Sequence, residues 1–469
     1  MSIRFFRFIQ IMCACLCFIG CKSQDDGKNS GNRKPNVLII LTDDLGYGDI
    51  SSFGQAIYKT PNIDRIGAEG VVASSFYVPT PYCAPSRASL LTGRFPLRHD
   101  LIKNPTPDAH IEVDTIGLAP EEVTMAEVFK DAGYATKAIG KWHLGHYPKF
   151  FPVAQGFDEY YGILYSNDMR PVQIIRDRDT VQYPVDQRHL TKDYTAQAID
   201  FITRKKEGPF LLYLAHAMPH KPLAASKAFY TPNTPNDLYA DVVRELDWGV
   251  GQVLHTLKEL KLLNNTIIIF MSDNGPWYGG STGGFKGMKA TTWEGGIRVP
   301  MMVRYPEAFT KGMTVNVPIW SLDILPTICS LAKVATPKNV VLDGQDITAL
   351  LQGKTTKHAP VFSMHGDNIM SVRKGDYKLF IRRPPGFVIE DFTGWVDPRG
   401  PDGNTIIAQT EQATPANYPG VIPVYPEKDI QLFNLKEDPT ESNNLSQAYP
   451  ELVEELLKIY NNFQENLKK

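Results

Sequence analysis

The chain has 469 residues, of which 43% are hydrophobic and 21% are charged, and its formal net charge is -2. This composition is ordinary for a soluble globular protein, and the length allows a large core and a second domain. A nearly neutral charge balance argues against nucleic acid as a partner, because nucleic-acid-binding proteins concentrate basic residues. Any attraction to an anion must therefore come from a local group of cationic side chains.

Residues 1–20 have the pattern of an export signal. Arg4 and Arg7 precede an apolar run that is too short to span a bilayer. The run ends in FIGC, and a polar stretch follows Cys21. This arrangement resembles a bacterial lipoprotein signal, which implies cleavage before Cys21, acylation of Cys21 and a polar tether over 21–34. The lipid would be the only membrane attachment, at the periplasm or cell surface; plain secretion is the alternative.

Removal of the signal leaves few cysteines in the folded part. Cys13, Cys15 and Cys17 lie within the signal, so Cys83 and Cys329 are the thiols that remain beyond Cys21. Cys329 lies in the apolar helical stretch LPTICSLA and is predicted to be a buried, small hydrophobic residue. A bridge between the two is the less favoured alternative, and we expect no disulfide framework.

Short runs rich in Val, Ile and Leu predict buried parallel strands. The runs are NVLIIL (36–41), YATKAI (134–139), PFLLYLA (209–215) and TIIIFM (266–271). The stretches between them, such as TMAEVFKDAG, have helical spacing. The alternation predicts an α/β fold with a large parallel or mixed sheet flanked by helices.

Cys83 stands just before a predicted helix, in PYCAPSRASLLTGR (81–94). Pro85 suits a first helical turn, which places Cys83 at the helix N-terminus. No histidine lies within several residues to deprotonate the thiol. The amides and dipole of a helix N-terminus favour an anion instead.

Polar side chains follow the predicted strands. They are Asp43 and Asp44 after the first run, Lys141 and His143 after the second, His216 and His220 after the third, and Asp273 and Asn274 after the fourth. Ligands of open α/β sheets bind at this edge. A single carboxylate there usually caps a turn, but two pairs of oxygen donors predict a hard cation, Ca²⁺ or Mg²⁺. Lys141, His143 and His220, with Lys289 and Arg298 further along the chain, supply donors for an oxyanion. Together they predict that a tetrahedral anion ester binds beside the cation.

Five motifs resemble, in the same order, those of the type I sulfatases. They are DDLGYGD (43–49), CAPSR with LLTGR behind it (83–94), GKWHLG (140–145), SDNG (272–275) and KATTWEGGIRVP (289–300). The resemblance covers about residues 34–350 and is specific because the order is kept. It implies an alkaline-phosphatase-like fold and hydrolysis of sulfate esters. The motif set is similar to that of the arylsulfatase and N-acetylgalactosamine-sulfatase branch.

The same resemblance implies that a maturation enzyme oxidises Cys83 to formylglycine during biosynthesis. One hydroxyl of the hydrated aldehyde would attack sulfur, and deprotonation of the other would release sulfate. The metal, usually calcium in this family, would be held by Asp43, Asp44, Asp273, Asn274 and the modified residue 83. Arg87 would hold the hydrated aldehyde, and His143 would accept its proton.

The remaining roles also follow from the resemblance. Lys141, Lys289 and His220 would bind sulfate oxygens, and either His220 or Lys289 would protonate the leaving alcohol. Ser166 would lie near residue 83. His216 matches no catalytic position and is expected to be structural.

The pattern changes near residues 351–360 to short strands with turns. This predicts a catalytic domain over 35–350 and an α+β subdomain over 351–469. The DPTESNNL turn resembles the hallmark of the small antiparallel C-terminal subdomain of sulfatases. A long Pro- and Gly-rich segment, 382–421, either rims the pocket or covers the sheet.

A lipid-anchored sulfatase is expected to act on a sulfated glycan. We expect exo action on galactose or N-acetylgalactosamine, because the segment 382–421 can wall the pocket and because of the branch resemblance. Asp168, Arg170 and Trp293 are candidates either for sugar contacts or for structural roles. The alternatives are a phosphate or phosphonate ester hydrolase of the same superfamily, and a non-catalytic glycan-binding lipoprotein if Cys83 stays unconverted.

Overall fold

The structure is a computed structural model that describes part of the chain. The described residues are 33–107, 115–169, 172–230, 238–277, 279–384, 396–397, 406–407 and 429–468, with only the backbone at 396–397 and 406–407. From Lys34 onward they form one compact unit. The predicted signal, most of the tether, Arg170 and most of the segment 382–421 lie outside the described residues. No helix within the described part is both long enough and apolar enough to span a bilayer.

The strands and helices follow in chain order. The strands are β1 (Asn36–Thr42), β2 (Val71–Ala73), β3 (Phe76–Tyr77), β4 (Ala135–Lys141), β5 (Glu159–Ile163), β6 (Ile174–Arg176), β7 (Asp179–Gln182), β8 (Phe210–Ala215), β9 (Thr266–Ser272), β10 (Met301–Arg304), β11 (Met313–Val315), β12 (Ile319–Trp320), β13 (Val361–His365), β14 (Asn368–Lys374), β15 (Tyr377–Phe380), β16 (Val396–Asp397), β17 (Ile406–Ile407) and β18 (Gln431–Asn434). The α-helices are α1 (Pro61–Ala68), α2 (Cys83–Thr92), α3 (Pro96–His99), α4 (Met125–Asp131), α5 (Leu190–Arg204), α6 (Leu238–Glu259), α7 (Glu294–Ile297), α8 (Ile324–Ala332), α9 (Thr348–Leu351) and α10 (Pro450–Leu467).

Within the described residues, ten strands form one sheet in the order β11–β2–β10–β9–β1–β8–β4–β5–β6–β7. The central strands β9, β1, β8, β4 and β5 run parallel to one another. Antiparallel pairs extend the sheet on both sides, through β10 and through β6 and β7. The sheet is therefore mixed with a parallel centre, as the alternating pattern predicted.

The centre of the sheet is buried on both faces. Alternate residues of β1 enter different hydrophobic clusters, with Val37 and Ile39 on one face and Leu38 and Ile40 on the other. Helices α2, α4 and α8 contribute to the first cluster, and α5 and α6 to the second. Burial on both faces explains why the strands appear in the sequence as continuous apolar runs. Cys329, in α8, is buried and forms no disulfide, as expected.

A second sheet, β13–β14–β15–β18, is antiparallel, and α10 packs against β14. Phe362 of β13 stacks on Phe463 of α10, with ring centroids 3.8 Å apart. Leu456 and Tyr460 of α10 belong to the same hydrophobic cluster as Val37 of β1. The α+β subdomain with a small antiparallel sheet was predicted, and it shares the core of the main sheet.

Candidate active site

The carboxyl ends of four central strands meet at one edge of the sheet. The register aligns the ends of β1, β4, β8 and β9, with Leu41 beside Met271 on one side and beside Ala215 on the other. The residues that follow these strands are consequently neighbours, and the Asp44 amide donates to Asp273 Oδ1 at 3.2 Å. The polar residues predicted at separate strand ends thus lie together.

Helix α2 begins at Cys83, as predicted, and ends where Gly93 adopts a left-handed conformation. The Cys83 side chain is 0% exposed, and its Sγ lies 3.4 Å from Asp43 Oδ1 and 3.2 Å from Lys289 Nζ. Burial raises the pKa of the Cys83 thiol well above its usual value. A thiol in this environment does not form the thiolate that a thiol hydrolase requires.

The first amides of α2 are not all directed at an anion. Asn104 Oδ1 accepts a hydrogen bond from the Ala84 amide at 2.9 Å. The Ala84 amide is therefore already paired, and the prediction of an anion at this helix N-terminus would rest on the other groups there. Cationic side chains surround residue 83 instead.

Three buried carboxylates near Cys83 are each paired with a cationic side chain. The pairs are Lys141 Nζ with Asp43 Oδ2 at 2.6 Å, Arg87 Nε with Asp273 Oδ2 at 2.8 Å, and Lys289 Nζ with Asp44 Oδ1 at 2.6 Å. Arg87 Nη1 also donates to the carbonyl oxygen of Lys141 at 2.7 Å, which fixes the guanidinium between two strands. This pairing is what makes burial of the three charges tolerable.

The same crowding shifts the carboxyl pKa values in opposite directions. Burial would raise the pKa of Asp43, but the surrounding cations, Lys141 foremost, hold it well below its usual value. Burial raises the pKa of Asp273 to about 7, and the neighbouring Asp43 carboxylate adds to the rise. Carboxylates that repel one another in this way favour a bound cation, because it would remove the repulsion.

The oxygen donors fit a divalent cation. One ligand atom each from Asp43, Asp44, Cys83 and His220 lies within 4.8 Å of the others. Asn274 Nδ2 donates to Asp44 Oδ1 at 2.7 Å, whereas the buried Asn274 Oδ1 has no hydrogen-bond partner among the described residues. A buried acceptor of this kind needs a partner. Carboxylate and amide oxygens are the ligands that Ca²⁺ and Mg²⁺ prefer.

His143 is buried beside the cluster and is a neutral base. Neither of its ring nitrogens has a hydrogen-bond partner in the described part of the chain. Burial, together with the charges of Lys141 and Arg87, holds its pKa well below the usual value. A neutral imidazole can accept a proton.

His216 is also buried, and burial lowers its pKa to about 4. It does not line the pocket described below, which agrees with a structural role.

His220 is oriented by its own backbone neighbour. Its Nδ1 lies 2.6 Å from the carbonyl oxygen of Lys221, which makes Nδ1 the protonated nitrogen. Its Nε2 lies 3.6 Å from Asp44 Oδ2 and 3.4 Å from Ser166 Oγ. Burial, followed by the Lys289 charge, lowers the pKa of His220. Ser166 also accepts from Lys141 Nζ at 3.1 Å, so it joins the lysine to the histidine.

Three residues at the site have positive φ values, a backbone conformation that is uncommon for residues other than glycine. Asp44, His143 and Ala290 have φ values of 61°, 62° and 67°. Such conformations cost about 1–3 kcal/mol each and persist only where the surroundings impose them. The tertiary contacts of the site therefore hold the backbone next to a carboxylate, a base and Lys289.

A pocket of about 290 Å³ opens beside the cluster. The predicted site residues in its lining are Asp44, His143, Ser166, His220 and Lys289, together with the sugar-contact candidate Asp168. The sequence analysis missed the other lining residues, namely Tyr82, Asn104, Met169, Lys221, Trp277 and Ala290. Most of these directly flank a predicted residue in the sequence, and that adjacency was the only signal available. Asn104 has no such signal, because it reaches the pocket by capping α2.

The contacts decide two other expectations. Arg298 does not line the pocket; its Nε donates to the carbonyl oxygen of Ser74 at 2.9 Å, and its guanidinium lies 4.5 Å from the Phe285 ring. Trp293 is 0% exposed and packs against Phe380, with ring centroids 4.7 Å apart, so it is structural and does not contact sugar. Both side chains fix the loop behind the site.

Comparison with known proteins identifies the family. Residues 35–334 match the model of the protein family described as Sulfatase. The chain belongs to the sulfatase family. It is 37% identical over 379 residues to the N-acetylgalactosamine-6-sulfatase of Canis lupus familiaris, an alignment that covers 75% of this chain and 72% of the relative. This sulfatase is a sulfuric ester hydrolase, as predicted.

Solved structures support the fold. The PsFucS1 sulfatase from Pseudoalteromonas sp. superimposes with a TM-score of 0.79 at 27% identity, covering 93% of this chain and 91% of the other. Ps i-CgsB, solved in complex with k-i-k-neocarrahexaose, superimposes with a TM-score of 0.75 at 26% identity, covering 92% of this chain and 93% of the other. The predicted alkaline-phosphatase-like fold of this sulfatase is thereby confirmed.

Calcium is expected to bind the metal-stripped sulfatase, and Asn274→Ala is expected to weaken that binding. Removal of a donor oxygen should lower the affinity at least about tenfold, the loss typical of even outer-shell partners. Isothermal titration calorimetry of EDTA-treated protein with CaCl₂ measures this. Asn443→Ala, at an exposed asparagine, is the control. Equal calcium affinity in wild type and Asn274→Ala would remove Asn274 from the ligand set.

Proposed function

We propose that this sulfatase removes an O-sulfate from the end of a glycan chain, with galactose or N-acetylgalactosamine as the leading sugar. The pocket volume of about 290 Å³ is at the lower end for small-molecule sites, which suits one sulfated ring. Tyr82 and Trp277 contribute aromatic side chains to its lining. One relative is named for N-acetylgalactosamine, and one solved neighbour holds an oligosaccharide.

The observation that carries the proposal is the surroundings of Cys83: Asp43, Asp44 and Lys289 contact its Sγ, and Lys141 pairs with Asp43. Asp44 and Lys289 also line the pocket. A formylglycine made from Cys83 would supply a hydrated carbonyl as the nucleophile. A cation, Ca²⁺ in preference to Mg²⁺, held by Asp43, Asp44, Asp273, Asn274 and residue 83 would supply positive charge beside it.

The protein's own side chains then have distinct tasks. Lys289 and Lys141 are ammonium groups, because the nearby carboxylates outweigh burial and raise the pKa of each. They neutralise sulfate oxygens.

The other side chains move protons or orient residue 83. His143, neutral and without a partner in the described residues, takes a proton from residue 83. His220 or Lys289 protonates the leaving alcohol. Arg87, held by Asp273, orients residue 83.

Conversion of Cys83 has to precede folding. The thiol is 0% exposed at the start of a helix whose residues are all buried. A maturation enzyme therefore acts on this segment during biosynthesis, before α2 packs onto the sheet. The proposed partners are that enzyme and the sulfated glycan.

Enzyme purified from its native host is expected to carry formylglycine at position 83. Mass spectrometry of the peptide containing residue 83 should show a lighter, hydrazide-reactive species. Cys83→Ala should lower turnover on the order of 10⁴-fold or more while the thermal unfolding midpoint stays close to wild type. Cys329→Ala is the matched control, because it alters a buried thiol in the core and should keep turnover. Full activity with only a free thiol at 83 would contradict the mechanism.

Terminal sulfates are expected to be hydrolysed faster than internal ones. Trp277→Ala should raise KM for a sulfated galactosamine oligosaccharide about tenfold, because packing against the sugar is lost, and should change KM for a small aryl sulfate much less. Tyr449→Ala, at an exposed aromatic residue, is the control. Equal rates on terminal and internal sulfates would defeat the exo assignment. A preference for glucosamine sulfates would defeat the sugar assignment and leave the sulfatase assignment standing.

We also propose that a lipid on Cys21 anchors the enzyme to a bacterial membrane. Cys21→Ala should abolish metabolic labelling with palmitate and release the enzyme from the membrane fraction at unchanged specific activity. Cys17→Ala, within the signal, should retain both labelling and fractionation. Unchanged membrane association of Cys21→Ala would contradict the lipid anchor.

A further inference from the structure

Lys289 stands on a loop whose two ends are bonded to each other. The Gly295 amide donates to the carbonyl oxygen of Lys286 at 2.7 Å, which closes the loop. At its tip, Lys289 Nζ lies 3.2 Å from Cys83 Sγ and 2.6 Å from Asp44 Oδ1. The position of this ammonium group therefore depends on how the closed loop is held.

One residue of the C-terminal subdomain contacts both ends of this loop. The carbonyl oxygen of Glu441, in the DPTESNNL turn, accepts from Lys286 Nζ at 2.9 Å. The carboxylate of the same glutamate accepts from the Glu294 amide at 2.8 Å through Oε2. Its other oxygen, Oε1, pairs with Lys378 Nζ of β15 at 2.8 Å. Glu441 thus joins the second sheet to the loop at two points.

The network around Glu441 is buried and tightly paired. Lys378 Nζ also lies 3.1 Å from Glu294 Oε1 and donates to the carbonyl oxygen of Thr292 at 3.0 Å. Tyr77 donates to Glu294 Oε2 at 2.5 Å. The side chains of Lys378, Glu294 and Glu441 are at most 1% exposed. Buried ionic networks of this kind have few alternative arrangements and impose a single geometry on the backbone they contact.

An aromatic cluster supports the same loop. Trp293 packs between Phe380 of β15 and Phe433 of β18, with ring centroids 4.7 Å and 5.9 Å away. Lys286 Nζ lies 3.8 Å from the centroid of the Trp293 ring. The polar contacts of Glu441 and this aromatic cluster both involve the two ends of the loop, near Lys286 and Glu294. The second sheet therefore packs behind the loop that carries Lys289.

We propose that Glu441 is a positioning residue for the reaction, which places the Lys289 ammonium group beside residue 83 by holding both ends of the loop 286–295. Sulfate-ester hydrolysis then depends on the C-terminal subdomain although Glu441 does not line the pocket. This inference rests on the role proposed above for Lys289. A purely structural role of Glu441 would instead affect stability without acting through that lysine.

A double-mutant cycle tests the proposal on the full-length, converted enzyme with 4-nitrophenyl sulfate as substrate. Glu441→Ala should lower kcat/KM about 100-fold, the loss expected when a catalytic group is displaced by about 1 Å. Glu441→Gln, which keeps an oxygen for the Glu294 amide, should recover most of that loss. In the Lys289→Ala background, Glu441→Ala should lower kcat/KM less than about twofold further, because coupled residues are not additive.

The surface pair Lys374–Glu455 supplies the control. Glu455 belongs to the same subdomain and is about half exposed, and Glu455→Gln should leave kcat/KM unchanged in both backgrounds. If Glu441→Ala impairs the enzyme equally in both backgrounds while Lys289→Ala alone is strongly impaired, the inference fails and the proposed function stands. If the kcat/KM of Lys289→Ala equals that of wild type, the proposed role of Lys289 is wrong, and the inference about Glu441 is wrong as well.

A shorter side chain covers the case in which Glu441→Ala does not fold. Glu441→Asp keeps the charge but withdraws the carboxylate from the Glu294 amide by one methylene. It should lower kcat/KM about tenfold in the wild-type background and have little effect in the Lys289→Ala background. Wild-type kcat/KM for Glu441→Asp, or equal losses in the two backgrounds, would overturn the proposal.

Discussion

Mutual repulsion among three buried carboxylates is the constraint on which the rest of the site depends. Asp43, Asp44 and Asp273 lie together because parallel strands end at one sheet edge, and burial makes each charge costly. Every one of them is paired with a lysine or an arginine. The cations needed to balance the carboxylates are the same groups that can receive a negatively charged sulfate ester. In the proposed mechanism, the same groups therefore compensate the carboxylate charges and bind the substrate.

The position of β1 explains why the carboxylates and Cys83 are buried. β1 lies between β8 and β9, and its carboxyl end is therefore flanked on both sides by other strand ends. Helix α2 packs on one face of the sheet and places Cys83 against Asp43. Burial keeps water away from these groups, which strengthens the electrostatic interactions among them.

The second sheet belongs to the site as much as to the fold. Its helix α10 shares the hydrophobic core of the main sheet, and its glutamate at 441 reaches the loop that carries Lys289. Tyr82, in the pocket lining, lies 2.7 Å through its hydroxyl from His365 Nε2 at the end of β13. The subdomain boundary predicted near residue 350 thus marks a change in secondary-structure pattern, whereas the chemistry extends across it.

Strand ends, motif residues and fold class could be predicted from the sequence because each depends on local order along the chain. Apolar runs form buried strands. The polar residue that follows a run lies at the carboxyl-end edge of the sheet, whichever strands are its neighbours. The parts that the sequence left open depend on contacts between distant segments. Trp293 and Arg298 follow Lys289 in one motif, yet neither lines the pocket, because Arg298 donates to the main-chain oxygen of Ser74 and Trp293 packs against the ring of Phe380.

The amino-acid sequence by itself determined the chemistry that the site offers: oxygen donors for a hard cation, lysines and histidines for an oxyanion, and one cysteine in the sulfatase motif. Tertiary structure alone decided which of these groups meet, at what distance, and in which protonation state. Asp43 and Asp273 are the same residue type and burial acts against the charge of both, yet neighbouring cations lower the pKa of Asp43, whereas burial and the Asp43 carboxylate raise that of Asp273. That difference arises from the charges packed around each carboxylate, and those charges come from segments far apart in the chain.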